Sequence, residues 1–588
     1  MSSAIAAPDW NLSVVWPSLT SPEFKAAFQS VKDELAGLEA EFDRLSIGSA
    51  APSSPEDTAN LVALIDKWNA WETAYGTLAA YVYGFYTTDT KDEHAQANLS
   101  ALDATSALRD KLYRRLEGWA GTRELADHAD LKVNAYWLEK AKTSAQHQMS
   151  GPEEALAADL MASSVTAWER LHADVTAQLK VGYRGGHITM NEARNLAFDA
   201  DPTVRKDAYD AELAAWPDAE LACAAAMNAI KDATDKLESH RGWSPLDVAV
   251  FHSNIDHGTL EAMLAAARDA FPALRRYMRA KAKLVRGQER LPFYDIFAPV
   301  GDTTSVWEFD RAIDFVAEQF RTFSPRMADM ALRSRAEHWI DAAPKPNKVG
   351  GAFCMHLRGD ESRILQTWKP TAGSVGTLAH ELGHAYHNVC LAGRTPLQRE
   401  TPMPLAETAS IFCEVLVHKA SIQEATGDER LAILEHSLQR SAQVVIDIVS
   451  RYDFETAVYA KRKERALSAA ELCQTMLDAQ EGTYGDGLSE ERHPYMWAAK
   501  PHYYSSRAFY NFPYMFGHLF SVGLYAVYEQ DKEGFVSRYD ELLSSTGLAS
   551  AKELAAGFGI DITQKAFWAG SLAVMTAEVS EFETGVGA

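Results

Sequence analysis

Most of the chain repeats apolar residues at the spacing of an α-helix, and short breaks rich in proline, glycine and serine separate the repeats. The pattern fills residues 22 to about 145 almost completely, beginning after the capping residue Ser21. It continues over most of residues 150–345 and again beyond residue 372. Long helices joined by short breaks are typical of antiparallel helical hairpins. The sequence therefore predicts a mostly α-helical protein.

Two stretches depart from the helical pattern and predict β-hairpins. In the first, AQLKVGYRGGHITM, Gly185 and Gly186 mark the turn. In the second, the strands AFCMHL and RILQTW flank the turn RGDE, directly before the helical run SVGTLAHELGHAYHNVC. We place a domain boundary beside the first hairpin, which predicts an N-terminal helical domain over 1–195 and a second domain over 196–588.

Composition and charge narrow the classes of partner. The chain has 588 residues, with 81 acidic against 57 basic side chains and a net charge of −24. This balance argues against nucleic acid or an anionic membrane as partner, because both attract basic surfaces. No signal peptide and no apolar stretch of membrane-spanning length is found. The five cysteines are scattered without a CxxC pair, which is typical of a reducing compartment, so we expect a cytoplasmic protein. The sequence leaves the oligomeric state open.

The candidate catalytic residues lie in the helical run SVGTLAHELGHAYHNVC, which follows the second hairpin. They form the motif His380-Glu-Leu-Gly-His384. Residues four apart lie on one face of a helix, so His380 and His384 can bind the same metal ion from a single turn. Neutral imidazoles suit zinc, and Glu381 is placed to take a proton from an attacking water. Gly383 favours helices poorly, which indicates that another part of the chain packs closely there.

A catalytic zinc site needs a third protein ligand from another element. His387 has the right helical phase but lies about 10 Å along the axis from His380. Glu407, in the first turn of the next predicted helix, is the best candidate. Glu414, seven residues later on the same face, is its rival or a hydrogen-bond acceptor for a metal-binding histidine. Weaker options are Glu400 and His418.

The two motifs together resemble peptidase family M3, specifically its oligoendopeptidase F branch. HELGHAYH followed by PLAETASIFCE matches the family pattern, and KVGGAFC upstream is similar to the family's glycine-rich strand. The resemblance implies one zinc ion per chain, bound by His380, His384 and Glu407, with Glu381 as general base. It also implies a large, mostly α zincin-type fold with a small β-hairpin beside the HExxH helix. A deep substrate channel would have the 1–195 domain as one wall, and 196–588 would be the catalytic zinc peptidase domain.

The resemblance also implies that tyrosines and a histidine near HYYSSRAFYNFPYMFG stabilise the oxyanion. Tyr510 and Tyr514 fit this role, with His502 as the histidine and His493 as a second candidate for it. The gap between His502 and Tyr510 is longer than the family's spacing. A continuous helix, interrupted only at Pro513, would place Tyr510 and Tyr514 on one face together with Tyr503 and Arg507.

The strand that begins at Gly351, Ala352 and Phe353 has a predicted role in substrate binding. A free strand edge beside the zinc helix can accept an extended peptide through main-chain hydrogen bonds. Such bonds read the backbone, so they tolerate many substrate sequences. A purely structural hairpin is the alternative interpretation of the same residues.

These features predict a zinc-dependent oligoendopeptidase that hydrolyses internal bonds of short unstructured peptides. A dipeptidyl carboxypeptidase could use the same zinc site, with Arg507 as the cation that binds the substrate carboxylate. A different class is a non-catalytic peptide-binding protein with a structural zinc, which would need a fourth ligand and would not need Glu381.

Overall fold

Helices make up most of the structure, a computed structural model that describes residues 7–48, 52–301 and 305–587. Helices α1 to α12 are Pro22–Arg44, Asp57–Thr88, Glu93–Gly121, Ala129–Lys132, Ala135–Gln146, Gly151–Met161, Ala167–Gln178, Met190–Asn195, Pro202–Ala215, Glu220–His240, Pro245–His252 and His257–Arg286. Helices α13 to α25 are Phe309–Phe323, Pro325–Ala336, Ala372–Cys390, Met403–Ala406, Thr408–Glu424, Gly427–Ala442, Ile448–Arg462, Ala469–Tyr484, Met496–Ala499, Phe512–Gln530, Lys532–Ser544, Ala551–Ala556 and Lys565–Gly585. The predicted mostly helical class is confirmed. None of the helices in the described ranges combines the length and apolar composition that a bilayer crossing requires.

Both predicted β-hairpins are present. Strands β1 (Lys180–Tyr183) and β2 (Gly186–Thr189) pair antiparallel through a two-residue turn. The turn residues are Arg184 and Gly185, both with positive φ (46° and 83°), one position earlier than predicted. Positive φ at both positions gives the turn a twist that matches the flanking strands.

The second hairpin belongs to a three-stranded sheet. Strands β3 (Ile340–Asp341), β4 (Ala352–Arg358) and β5 (Glu361–Gln366) are arranged in the order β3-β5-β4. The central strand β5 is almost fully buried, whereas β4 is half-buried and pairs with β5 alone among the described strands. Strand β4 is therefore the edge that the sequence predicted for substrate binding.

The chain divides into two compact units, each made of separate stretches of sequence. The first unit comprises Met1–His147, Ser305–Ala420 and Tyr528–Phe558. The second comprises Gln148–Thr304, Ser421–Val527 and Gly559–Ala588. The predicted boundary near residue 195 falls inside the second unit, and the division of the chain there remains a prediction.

In the first unit, the N-terminal helices share a core with the segment that follows α15. Trp68 and Trp71 of α2 and Leu112 of α3 are buried in one apolar cluster that also contains Leu397. Helix α2 also lies against the sheet, because a Cβ atom on Gly84 would approach Cε of Met355 in β4 to 3.2 Å. The sheet and α15 are thus built onto the N-terminal helices.

In the second unit, the long helix α12 packs along α25, where the rings of Tyr277 and Phe582 lie 5.5 Å apart. A separate apolar cluster contains Phe454 of α19 and Tyr503, whose ring centroids are 5.0 Å apart. This cluster fixes the start of the aromatic segment that the sequence singled out.

Candidate metal centre

Helix α15 carries both histidines of the HExxH motif. It begins after Thr371, whose side chain caps it by accepting a hydrogen bond from the backbone N–H of Ser374. The imidazole rings of His380 and His384 lie one turn apart, with centroids 4.9 Å from each other and planes at 83°. The two histidines therefore share one face of the helix, as the motif predicted.

Glu407 lies at the junction between α16 and α17. The sequence placed it in the first turn of a helix; the structure places it between two helices, with φ −86° and ψ 0°. Its Oε2 is 3.3 Å from Nε2 of His380 and 3.5 Å from Nε2 of His384. The ligand atoms of the three residues all lie within 4.8 Å of one another. Ser410 steadies the carboxylate by donating a hydrogen bond to Oε2 at 2.7 Å.

Gly383 allows this convergence, because α17 passes directly over it. A Cβ atom at this position would lie 2.5 Å from Cα of Ser410 and 2.7 Å from the carbonyl oxygen of Ala409. Both are backbone atoms that a side-chain rotation cannot move away. The close packing that the sequence indicated is thus the approach of the segment that carries Glu407.

Glu414 contacts the opposite edge of the His380 ring. Its Oε2 lies 3.3 Å from Nδ1 of His380, in hydrogen-bonding position. A carboxylate on Nδ1 favours the tautomer with hydrogen on that nitrogen and leaves Nε2 as a lone-pair donor. Glu414 therefore lies at Nδ1 of His380, and Glu407 is the carboxylate beside both Nε2 atoms.

Glu381 lies between the two histidines in the sequence. Its side chain is buried in the structure, with only 5% of the residue exposed. Its Oε2 has no hydrogen-bond partner among the described residues. Burial raises the pKa of Glu381 to about 7, with His380 opposing the shift and Glu407 adding to it. A carboxyl group with a pKa near neutrality is suited to accept and return a proton.

The charge states of the other groups match those of metal ligands. Burial lowers the pKa of His384 to about 4, so its imidazole is neutral. Burial alone would raise the pKa of Glu407, but the hydrogen bond from His380 and the charges that both histidines carry when protonated at low pH lower it to about 2. Metals bind neutral imidazole and ionised carboxylate. Within residues 7–48, 52–301 and 305–587, no other group of three such side chains converges in this way.

Two of the alternative ligand candidates, His387 and Glu400, lie outside the group formed by His380, His384 and Glu407. His387 is buried, with its Nε2 3.0 Å from Oγ1 of Thr546 and 3.1 Å from the carbonyl oxygen of Leu543. Glu400 accepts a hydrogen bond from the hydroxyl of Tyr113 at 2.9 Å. Neither belongs to the converging group.

Lys348, the first residue of the KVGGAFC segment, fixes the start of β4. Nζ of Lys348 donates to Oδ1 of buried Asp341 at 2.7 Å and to the carbonyl oxygens of Asp341, Ala343 and Gln366 at 2.8 to 3.0 Å. These bonds close the loop at 342–351 just before Gly351, which has a φ of 86°. The sequence marked this segment through its glycines, and the role of the lysine follows from its contacts in the structure.

The proposed substrate strand follows directly. Ala352 and Phe353 pair with Gln366 and Leu365 of β5. The ring of Phe353 packs against Tyr83 of α2, with centroids 5.4 Å apart. The strand is therefore fixed on one side by β5 and on one face by α2.

The aromatic segment of the second unit is not the continuous helix that the sequence predicted. Helix α22 begins only at Phe512, and residues 504–511 form a loop in which Phe509 has a left-handed φ of 52°. The predicted shared helical face of Tyr503, Arg507, Tyr510 and Tyr514 is therefore wrong. Pro513 does not interrupt the helix but lies in its first turn, where a missing N–H has no consequence.

The loop nevertheless brings three of the predicted residues together. The rings of His502 and Tyr510 are 4.9 Å apart, and those of Tyr510 and Tyr514 are 5.9 Å apart. Tyr514 is 37% exposed. His493, the second candidate for the histidine role, is only 1% exposed and has its Nε2 3.1 Å from Oε1 of Glu212. His493 therefore lies outside the cluster.

The model of Peptidase family M3 matches residues 196–574, and that of Oligopeptidase F matches residues 122–180. The chain is 24% identical over 404 residues to group B oligopeptidase PepB of Streptococcus agalactiae, covering 67% of each chain. It is 21% identical to an oligoendopeptidase F homolog of Lactococcus lactis, covering 98% of this chain and 96% of the relative. The crystal structure of oligoendopeptidase-F from Enterococcus faecium superposes with a TM-score of 0.68 at 16% identity, covering 96% and 99% of the two chains. The likeness confirms the predicted fold class.

Proposed function

Because this chain belongs to peptidase family M3 and is a metallopeptidase, we propose that it is a zinc-dependent oligoendopeptidase that cleaves internal bonds of short unstructured peptides. The observation that carries the proposal is the convergence of His380, His384 and Glu407 beside the buried carboxylate of Glu381. A non-catalytic protein with a structural metal would have no use for that carboxylate.

The residues present fit a catalytic zinc ion. Two imidazole nitrogens and one carboxylate oxygen form a three-ligand set that leaves a coordination position for a reactant. Zinc, when bound, supplies a Lewis acid that activates water and polarises the scissile carbonyl. His380, His384 and Glu407 would bind it, and Glu414 would orient His380 through Nδ1.

Glu381 performs the proton transfers in this proposal. Its unpartnered Oε2 takes the proton of the attacking water, and the same oxygen returns that proton to the leaving amine. A pKa of about 7 allows the carboxyl group to act in both directions near neutral pH.

Tyr510 and Tyr514 are proposed as the donors that stabilise the oxyanion of the tetrahedral intermediate, and His502 belongs to the same cluster. The family resemblance supports this assignment, and phenol hydroxyl groups are suitable donors. Removal of one such donor typically lowers kcat by about 10²–10³-fold.

The edge of β4 from Gly351 to Phe353 is proposed to bind the substrate as an added strand. Its pairing with β5 alone among the described strands supports this role, and main-chain hydrogen bonds would tolerate varied sequences. Exclusion of folded proteins by a deep channel, with the 1–195 domain as one wall, is part of the same proposal.

A dipeptidyl carboxypeptidase remains the second candidate function. Arg507 supports it, because its side chain is exposed in the loop next to the aromatic cluster. A peptide with an amidated C-terminus separates the two, since an endopeptidase still cleaves it internally and a carboxypeptidase loses its anchoring charge.

The test of the proposed function is a digest of a peptide library by the purified protein, read by mass spectrometry with and without a chelator. We expect internal cleavage that chelation abolishes. The variant Glu381→Gln should retain zinc and lose about 10²–10⁴-fold in kcat, because it removes the general base. Unchanged turnover in this variant would refute the mechanism.

A further inference from the structure

Asn511 connects the histidine of the aromatic cluster to a buried arginine. Its side-chain oxygen, Oδ1, lies 3.0 Å from Nδ1 of His502 and 2.9 Å from an Nη atom of Arg451. Asn511 is only 3% exposed, so water does not compete for these bonds. A single amide oxygen therefore contacts both groups.

The arginine decides which way the amide is oriented. A guanidinium group carries only N–H donors, so the amide atom that faces Arg451 must be the oxygen. The same oxygen faces His502, and an oxygen can only accept. Nδ1 of His502 must therefore carry a hydrogen, which leaves Nε2 of the neutral ring as an acceptor.

Arg451 is itself anchored. It forms an ion pair with Asp447, one turn earlier, and Asp447 also accepts a hydrogen bond from the hydroxyl of Tyr484 at 3.3 Å. Residues 443–447 form a π-helical turn at the start of α19, a local irregularity that is frequent at functional sites. The orientation of the Asn511 amide is thus set by a chain of partners.

The opposite end of the loop is also fixed. The left-handed conformation of Phe509 aims its backbone N–H at Oε1 of Glu455, at 3.1 Å. The same oxygen accepts from Nζ of buried Lys231 at 2.6 Å. An aromatic residue in this backbone region is strained, and such strain persists where the surroundings hold it. The loop is therefore a rigid support for Tyr510 and His502.

We propose that Asp447, Arg451 and Asn511 form a positioning relay that fixes hydrogen on Nδ1 of His502 and presents Nε2 as the acceptor for a peptide N–H of the substrate. This inference rests on the proposed peptidase function and deepens it. It separates the roles within the cluster: the tyrosines donate to the oxyanion, and His502 holds the substrate backbone. Among the described residues, the hydrogen bond of the His502 ring is the one at Nδ1, so Nε2 is available for that contact.

The charges around His502 favour the neutral ring that this role needs. Burial lowers the pKa of His502, and the positive charges of Arg451 and Lys500 lower it further. The hydrogen bond to Asn511 and the charge of Glu455 act in the opposite direction without reversing the shift. A protonated ring would offer a donor at Nε2 and would repel a peptide N–H.

The first experiment removes one substrate N–H at a time. A cleavable peptide is compared with analogues in which an ester replaces a single amide beside the scissile bond, in the wild-type protein, His502→Ala and Asn511→Leu. We expect one ester to lower kcat/KM about 10-fold in the wild-type protein and less than about 2-fold in both variants, since the partner is already missing. Equal losses in all three proteins at every position would overturn the proposal.

The second experiment changes the charge of the relay. Asn511→Asp keeps an acceptor for both partners and adds a negative charge beside His502, which raises the pKa of the imidazole by about 1 unit or more. The titration of the His502 ring itself, followed by the pH dependence of its ¹⁵N-histidine signals, should therefore move to higher pH than in the wild-type protein.

Asn228→Leu is the matched control. Asn228 is a half-buried asparagine of the same unit whose side chain bonds the backbone of Leu467 as donor at 2.7 Å and as acceptor at 2.8 Å. Its replacement should lower stability without moving the titration of His502. A His502 titration that stays in place in Asn511→Asp, or moves equally in Asn228→Leu, would refute the relay.

A third measurement does not depend on turnover. In protein labelled with ¹⁵N-histidine, long-range ¹H–¹⁵N correlations report the tautomer of each imidazole, and the His502 signal is assigned by its absence in His502→Ala. We expect hydrogen on Nδ1 in the wild-type protein and loss of that preference in Asn511→Leu. Hydrogen on Nε2 in the wild-type protein would overturn the inference, whereas a normal tautomer without peptide cleavage would instead refute the proposed function.

Discussion

At the residue scale, one oxygen of Glu407 meets both metal-facing nitrogens. Oε2 lies 3.3 and 3.5 Å from the Nε2 atoms of His380 and His384 and accepts a hydrogen bond from Ser410. A two-histidine site without this carboxylate has lost a third of its protein ligands. Its metal affinity should therefore fall sharply.

Glu407→Ala should accordingly abolish both zinc binding and peptide hydrolysis. Zinc per chain, measured by atomic spectroscopy after gel filtration, should fall from about one to near zero, because the site loses its third protein ligand and binds zinc more weakly. Glu400→Ala is the control, because Glu400 bonds Tyr113 outside the metal group and its loss should leave the zinc content unchanged. Full occupancy in Glu407→Ala would show that another residue is the third ligand.

Gly383 and Gly376 provide a matched pair within α15. A Cβ atom at position 383 would lie 2.5 Å from Cα of Ser410, whereas one at position 376 would have no neighbour within 4 Å. Gly383→Ala should therefore lower the free energy of unfolding by about 1–3 kcal/mol, because the backbone of α17 must shift. Gly376→Ala should be neutral or stabilising by up to about 1 kcal/mol, because alanine favours the helix.

Chemical denaturation with urea measures the free energy of unfolding of both glycine variants. Their zinc content shows whether the metal site shifts together with α17. We expect Gly383→Ala to bind zinc more weakly than Gly376→Ala. Equal stability and equal zinc content in the two variants would mean that the contact at Gly383 does not position Glu407.

At the element scale, the loop before β4 depends on Lys348. Its Nζ serves four acceptors, and Asp341 is fully buried. Removing Lys348 leaves buried Asp341 with Lys345, which is a quarter exposed and compensates the charge less well. The strand start at Gly351 would then lose the bonds that define its path.

Lys348→Met should lower the free energy of unfolding by about 3–5 kcal/mol. In the fraction that stays folded, KM should rise more than kcat falls, because the proposed substrate strand is displaced and the proposed metal ligands are not. Lys345→Met is the control: Lys345 also bonds Asp341 but is a quarter exposed, so its loss should have a smaller effect on both quantities. A change confined to kcat would contradict a role for this loop in substrate binding.

The elements that sequence could predict are those whose signals are local. The HExxH helix and both hairpins follow from periodicity and turn residues within a few positions. The loop at 504–511 could not be predicted, because Phe509 is held in its backbone conformation by Glu455, 54 positions away. The position of Glu407 between α16 and α17 likewise depends on the contact of α17 with Gly383.

At the scale of the whole molecule, the metal site and the N-terminal helices belong to the same unit. Arg363 of β5 donates hydrogen bonds to the carbonyl oxygen of Asn11 at 2.9 and 3.1 Å. The backbone N–H of Ala342 donates to the carbonyl oxygen of Pro8 at 2.7 Å. Leu397 packs into the core formed by α1 to α3. Separation of residues 1–195 from 196–588 would expose all of these groups.

The fragment 196–588 should therefore fail to form a stable metal site by itself. Without α2 and the N-terminal segment, the apolar cluster around Leu397 and the buried side chain of Arg363 face water, and a fragment with so much exposed core should aggregate. Co-expression with the fragment 1–195 should restore a soluble complex that binds zinc. Gel filtration and zinc analysis check both outcomes. A monomeric 196–588 fragment with one zinc ion would instead support an independent catalytic domain beginning near residue 196, and would mean that the contacts of the N-terminal helices with β5 and Leu397 contribute little to its stability.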